Sequence, residues 1–126
     1  MIRSNRASLA MMFTLVGCGA ASAQLITLPG SYGNAAGCAY LQSGQDGDDT
    51  AQFLTDRELG GQGLGCSFAI AGTDLGDTIL VQGICSHRGK DTLTAESFII
   101  STPYEDGHVE ILRANGDIWG ELEPCL

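Results

Sequence analysis

Basic residues are scarce in this chain. Six Lys and Arg stand against fifteen Asp and Glu, for a formal charge of −9. Such a chain repels phosphate backbones and anionic lipid surfaces, which argues against a nucleic-acid partner. Prolines number three, and no apolar run reaches the eighteen or so residues that a membrane-spanning helix needs, so no transmembrane segment is expected. No stretch repeats apolar residues at helical spacing over three turns. Gly-x-Ser-x-Gly is missing, which removes the nucleophile elbow of one large hydrolase class. Cys-x-x-Cys is missing too, and the cysteines beyond residue 23 lie 28, 19 and 40 residues apart, so neither a metal nor any other cofactor is indicated by spacing.

What is present is a series of short strand signals. Residues 78–85 (TILVQGIC) form the most apolar run outside the N-terminal segment, rich in β-branched types and bounded by Gly76-Asp77 and by residues 86–90. That pattern predicts a buried strand rather than a helix. Further strands are predicted over 51–55, 66–71, 91–101, 108–113 and 118–122, and Ala39-Tyr40-Leu41 is read as the start of a first strand. Residues 56–59 read as a turn of helix or a tight corner, and residues 60–65, with four glycines in six, as a loop. Turn signals about every ten residues mark an all-β chain: a small antiparallel meander of six or seven strands, as a sandwich or partly closed barrel.

The N-terminus reads as an export signal over residues 1–23. Arg3 and Arg6 precede a short apolar stretch at 9–16, and Ala21-Ser22-Ala23 fits a small-x-small cleavage site. A competing route is lipidation, since Leu15-Val16-Gly17-Cys18 resembles a bacterial lipobox and would anchor the chain through Cys18. Residues 24–37 then form an extended lead-in and 38–126 a single domain, periplasmic or secreted, or membrane-anchored if Cys18 is lipidated. Removal of Arg3 and Arg6 leaves four bases against fifteen acids, a formal charge of −11. A cationic partner is favoured by electrostatic steering.

Cys38, Cys66, Cys85 and Cys125 remain, an even number in an exported chain, and read as two disulfides. If residues 72–77 join two antiparallel strands with Ala71 opposite Thr78, Cys66 falls opposite Gly83, two residues from Cys85. A one- or two-residue bulge then permits Cys66–Cys85 and leaves Cys38 for Cys125. A barrel-like closure permits the alternative, Cys38–Cys66 with Cys85–Cys125.

Asn115-Gly116 is the strongest hairpin signal. A two-residue loop there sets Leu112 opposite Trp119 and Val109 opposite Leu122, with Val109, Ile111, Ile118 and Leu122 on the core face. Leu112 and Trp119 then stand among charges on the outer face, a candidate contact surface. His87, Arg88 and Lys90, in the turn SHRGK, form a second candidate, a small basic knob on an acidic body. Asp46, Asp48 and Thr50 alternate as in a calcium loop, but Ala51 and Arg57 stand where glycine and a bidentate glutamate are needed, so cation binding by the 46–49 loop is left open.

With every cysteine beyond residue 23 paired, no nucleophilic thiol remains. The chain therefore reads as a non-enzymatic exported protein that binds an envelope partner. The alternative is a small periplasmic hydrolase using His87 or His108. The plan of export signal, four cysteines, β-meander and a cysteine next to the C-terminus resembles that of short exported proteins of Gram-negative bacteria, some periplasmic lysozyme inhibitors among them. That resemblance implies an inhibitor-like protein with a cationic target. Ser31-Tyr32-Gly33 and Ser43-Gly44-Gln45 both depart from the inhibitors' Ser-Gly-x-x-Tyr loop, so no functional residue carries over.

Overall fold

A computed structural model describes residues 26–44 and 49–126. The predicted export signal at residues 1–23 with Cys18, and Asp46 and Asp48 of the acidic loop, lie outside the described residues. Along the chain the elements are β1 (Tyr32–Gly33), α1 (Ala35–Ser43), β2 (Gln52–Leu54), β3 (Glu58–Gly61), β4 (Leu64–Phe68), β5 (Thr73–Asp74), β6 (Thr78–His87), β7 (Thr94–Ser101), β8 (Val109–Arg113) and β9 (Ile118–Pro124). All strand pairings are antiparallel. β1 pairs with β9 as well as β2, and β4 pairs with β6, so eight strands close on themselves, while β5 extends the β4 side of β6. The described residues thus form nine strands where six or seven were predicted, because β1, β3 and β5 are short: eight make a closed barrel rather than a sandwich or a partly closed one, and β5 is added to it. Eight strands enclose a space that side chains alone can fill.

They do fill it. Leu54, Leu59, Ile100, Val109, Ile111 and Leu122 are fully buried, as are Val81 and Phe98. Each such side chain contributes about 1.5–3 kcal/mol on burial. Alternation along β4 and β6 supplies this core: Leu64, Cys66 and Phe68 turn inward from one strand, and Val81, Gly83 and Cys85 from the other. Ile26, in the lead-in, is buried against the same core, and Tyr32-Gly33 is the strand that completes the circuit. That part of the predicted lead-in is therefore built into the barrel.

Both disulfides are the favoured pairs, but the register assumed for them is corrected: Leu75, not Ala71, bonds across to Thr78, and Thr73-Asp74 form a strand inside the predicted 72–77 turn. Cys66 lies directly opposite Cys85 on the β4–β6 seam, with Cα atoms 4.1 Å apart. The turn lies at Gly76-Asp77, and the extra residues that bring Cys66 back opposite Cys85 are on the β4–β5 side, where residues 69–72 bulge out of the ladder between Phe68↔Gly83 and Thr73↔Leu80. Cys38–Cys125 ties α1 to the end of the chain across 87 residues, Cα to Cα 5.4 Å.

Three further sequence expectations are corrected. Residues 39–41 are helical, not a strand. Asn34 caps α1 by accepting from the Gly37 N–H at 2.8 Å, and Gly44, at φ 67°, ends it in the left-handed conformation. Residues 60–65 are not a loop but the tip of the β3–β4 hairpin, turned at Gln62-Gly63, both with positive φ as a type I′ turn requires. The third correction concerns β8–β9. Arg113 and Asp117 bracket a three-residue loop, and Trp119 is an extra residue in β9, so that Leu112 pairs with Ile118 while Ile111 still pairs with Gly120. A bulge reverses the side-chain alternation beyond it. Trp119 consequently points into the barrel, 7% exposed, and Ile118 points out, 59% exposed. Trp119 is a core residue, not a contact residue.

Candidate functional site

The bulge at Trp119 creates a surface that alternation alone does not predict. Outward positions on β6–β9 bring Leu80 opposite Ile99, Ile99 opposite Leu112, and Leu112 opposite Ile118. Four aliphatic side chains therefore run in one row across four strands. Leu80, Ile99 and Leu112 are half-buried by one another and Ile118 is open to solvent. Opposite residues in an antiparallel pair lie about 4.5–5.5 Å apart at Cβ, so the row forms one continuous band.

The next outward row is polar and then acidic. Thr78 faces Ser101, the Ser101 Oγ accepts from the Glu110 N–H at 2.8 Å, and Glu110 lies directly opposite Glu121. Two carboxylates facing each other across a ladder destabilise it. The Tyr104 hydroxyl donates to Glu110 Oε2 at 3.3 Å, and the carboxylate of Glu110, ahead of burial and of Glu121 and Asp77, raises the Tyr104 pKa above the usual phenol value. Tyr104 stacks on the His108 ring with centroids 4.4 Å apart. His108 is held by Asp106, and that hydrogen bond raises the imidazole pKa while lowering that of the carboxyl. Glu121 and Glu110 add to the rise at His108. The site is thus an apolar band bordered by a strongly negative edge.

The predicted basic knob stands elsewhere. Antiparallel alternation of β6, β7 and β8 puts the β6–β7 turn, with Arg88 and Lys90, at the opposite end of these strands from the acidic edge. Arg88 reaches Asp49 at 3.2 Å, both well exposed, and Lys90 is exposed. His87 is not part of a solvated knob. It turns toward the barrel mouth, half-buried, where its Nε2 meets Glu96 Oε2 at 2.7 Å, and the Thr94 hydroxyl donates to the same oxygen at 3.0 Å. Ser86 faces the other way, its hydroxyl 3.4 Å from the Gly65 carbonyl, so the adjacent Ser86 and His87 are not a catalytic pair. Leu112 is the one predicted contact residue that belongs to the band. His87 and His108 are at opposite ends of the barrel strands.

A second surface went unread in the sequence. Between α1 and the β3–β4 hairpin lies an open groove of about 520 Å³ floored by Gly60, Gly61, Gly63 and Gly65. Phe53 lies opposite Gly60 and covers it: a Cβ on Gly60 would stand 2.6 Å from the ring. Tyr40 stacks on Phe53 with centroids 5.0 Å apart. The aromatic pair thus fills the place of the missing side chains, an ordinary cross-strand packing device. The alternation Leu59-Gly60-Gly61 and Leu64-Gly65 beside a Phe was the signal available for it.

Among the described residues, no helix is long and apolar enough to cross a membrane. No family model, curated protein or solved structure matches this chain.

Proposed function

We propose that this chain is an exported, non-enzymatic binding domain of the cell envelope whose partner is a basic protein, docked on the Leu80–Ile99–Leu112–Ile118 band. The observation that carries this reading is the pairing of that band with the Glu110–Glu121 edge. A target with an apolar patch flanked by Lys or Arg would cover the band and separate the two facing carboxylates by a cation. The barrel alone gains nothing from setting those carboxylates opposite each other. The excess of acid over the whole chain, fifteen Asp and Glu against six Lys and Arg, would speed encounter with such a target. Two disulfides suit an oxidising compartment, in keeping with cleavage after Ala23 or lipidation of Cys18.

Lysozyme, a compact cationic protein, is the probe of choice, because the overall plan resembles that of its periplasmic inhibitors. The chain should be retained on immobilised lysozyme at low salt and released as salt rises. Glu121→Lys should weaken retention at least ten-fold and flatten its dependence on salt, and Ile118→Asp should abolish it without unfolding the barrel. Absence of retention at low salt, or retention indifferent to both substitutions, would overturn the proposal. Intact mass of exported material distinguishes a chain starting at Gln24 from one starting at acylated Cys18.

A further inference from the structure

The groove between α1 and the β3–β4 hairpin holds one glycine that the fold does not require. Phe53, Gly60, Gly65 and Ser86 are successive partners across β2, β3, β4 and β6, so they form one row on the outer face. Gly60 lies under the Phe53 ring, and Gly61 and Gly63 have positive φ. Gly65 has neither reason. It is exposed in mid-strand and its φ is not positive. A Cβ there would meet only the Ser86 Oγ, at 3.5 Å, an ordinary contact. A glycine inside a strand weakens it and often marks the close approach of a ligand. From Gly60 to Ser86 the floor spans two strand spacings, about 10 Å.

The walls of the groove differ in chemistry. On one side stands the Tyr40–Phe53 stack, both rings lining the groove. Across the floor, the Ser86 hydroxyl holds the Gly65 carbonyl only loosely, at 3.4 Å. Glu58 and Ser67, facing each other on β3 and β4, are exposed at one end. The Arg88–Asp49 pair stands at the other. The volume of about 520 Å³ lies within the range of about 300–1,000 Å³ that small-molecule sites occupy, and an aromatic wall with a few placed polar groups is their common lining.

We infer that this groove binds a neutral glycan, seating one gluco-configured pyranose ring over Gly65 beside the aromatic stack. Such a ring carries its hydroxyls equatorially, which leaves flat C–H faces and a polar circumference. A C–H face suits the bare glycine backbone and the aromatic carbons, where any side chain at position 65 would hold the ring off. The hydroxyls suit Ser67, Ser86 and Glu58, whose carboxylate accepts a charge-assisted hydrogen bond. Glu58 and Asp49 repel a phosphate or a uronate, since Arg88, the one cation among the described lining residues, is already paired with Asp49. A purely apolar ligand would desolvate the rim hydroxyls and carboxylate without giving them partners. β2, β3 and β4 carry no part of the Leu80–Ile118 band, so the glycan site and that docking surface are independent.

Calorimetric titration of the oxidised full chain with cellohexaose and with chitohexaose tests this. At least one of these β-1,4-linked hexasaccharides should bind saturably, and the pair distinguishes a hydroxyl from an acetamide at ring carbon 2. Gly65→Val puts a β-branched side chain on the floor at a strand position that accepts it, so the variant should melt no lower than the wild type. Its affinity should fall at least about ten-fold. Should Gly65→Val fail to fold, Tyr40→Ala on the exposed side of the stack decides, with a loss of similar size. Amide shifts at saturation should centre on residues 58–67. Absence of saturable binding by both hexasaccharides, affinity unmoved in the deciding variant, or shifts centred on Leu112 and Ile118 would overturn the assignment.

Discussion

The side-chain amide of Gln52 donates to the carbonyl of Trp119 at 2.8 Å, across 67 residues of sequence and at the point where the β8–β9 ladder slips. A bulged residue has its backbone groups taken out of the ladder, and a buried carbonyl without a partner costs about 1–3 kcal/mol. Gln52, 8% exposed and the one buried polar side chain among the described residues, supplies that partner. Gly120 next door leaves room for it, since a Cβ there would stand 3.3 Å from the amide nitrogen. Gln52→Leu should therefore destabilise the domain by about 1–3 kcal/mol despite its better hydrophobic burial. The loss is measured as a lower urea midpoint at unchanged slope.

The same bulge explains what the sequence concealed. The register from Val109↔Leu122 to Ile111↔Gly120 follows from Asn115-Gly116, and so does the strand over 78–85 from its β-branched run. The pairing of Cys66 with Cys85 was legible only in outline, since the turn sets Leu75 rather than Ala71 opposite Thr78 and the bulge at 69–72 offsets part of that shift. These are local relations. The Leu80–Ile118 band was hidden because it depends on a third hairpin residue at Ala114 and an extra residue at Trp119, neither of which alters the hydrophobic pattern. α1 was hidden for another reason: AAGCAYLQS has no apolar stripe, and the helix is held by its caps, by the Cys38–Cys125 bond and by close approach to β2. Barrel closure rests on β1, two residues long, whose partners are 22 and 90 positions away at Tyr32↔Leu54 and Gly33↔Glu123. No short-range pattern encodes such pairings.

Trp119 offers a second test, because its indole N–H is buried without a partner among the described residues. Truncation and repair should behave differently. Trp119→Ala empties a core position and should cost about 3–5 kcal/mol. Trp119→Phe keeps most of the ring while removing the orphaned donor, and should change stability by no more than about 1 kcal/mol. As the sole tryptophan, Trp119 also reports on its own position: emission should be blue-shifted and shielded from iodide in the folded chain, opposite to an exposed contact residue.

Two glycines should separate steric from conformational cost. A Cβ on Gly37 would stand 1.8 Å from the Gln52 carbonyl oxygen, so Gly37→Ala must push α1 away from β2. It also strains the contacts of the Asn34 side chain, which accepts from the Gly37 and Gln52 N–H groups at 2.8 and 3.0 Å. The expected loss is about 3 kcal/mol, at the upper end of overpacking costs. Gly116 has nothing within 4 Å of its would-be Cβ but sits at φ 89°. Gly116→Ala should cost only the left-handed penalty, about 1–2 kcal/mol, and Gly116→Asn less, since Asn tolerates that region. Thermal unfolding of the three variants orders them.

The His108–Asp106 pair makes stability depend on pH in a definite window. His108 is raised above its ordinary value chiefly by its hydrogen bond to Asp106, against the opposing effect of burial. A raised imidazole contributes stability that is fully present below the unfolded value of about 6.5 and lost as pH rises through the folded value. Asp106 is lowered, chiefly by the same hydrogen bond, so its contribution is present above about 3.9 and lost as pH falls through the depressed value. The pair thus stabilises most between about pH 4 and 6.5. Asp106→Asn should lower the His108 pKa, read from its ring proton shifts, toward the ordinary imidazole value. It should also narrow the stability gap to the wild type as pH rises past the imidazole range. Glu121→Gln should lower the His108 pKa by less, since Glu121 acts only through space. Asp106→Asn leaving the His108 titration where it stands in the wild type would show that the hydrogen bond is not what holds the imidazole charged at this edge.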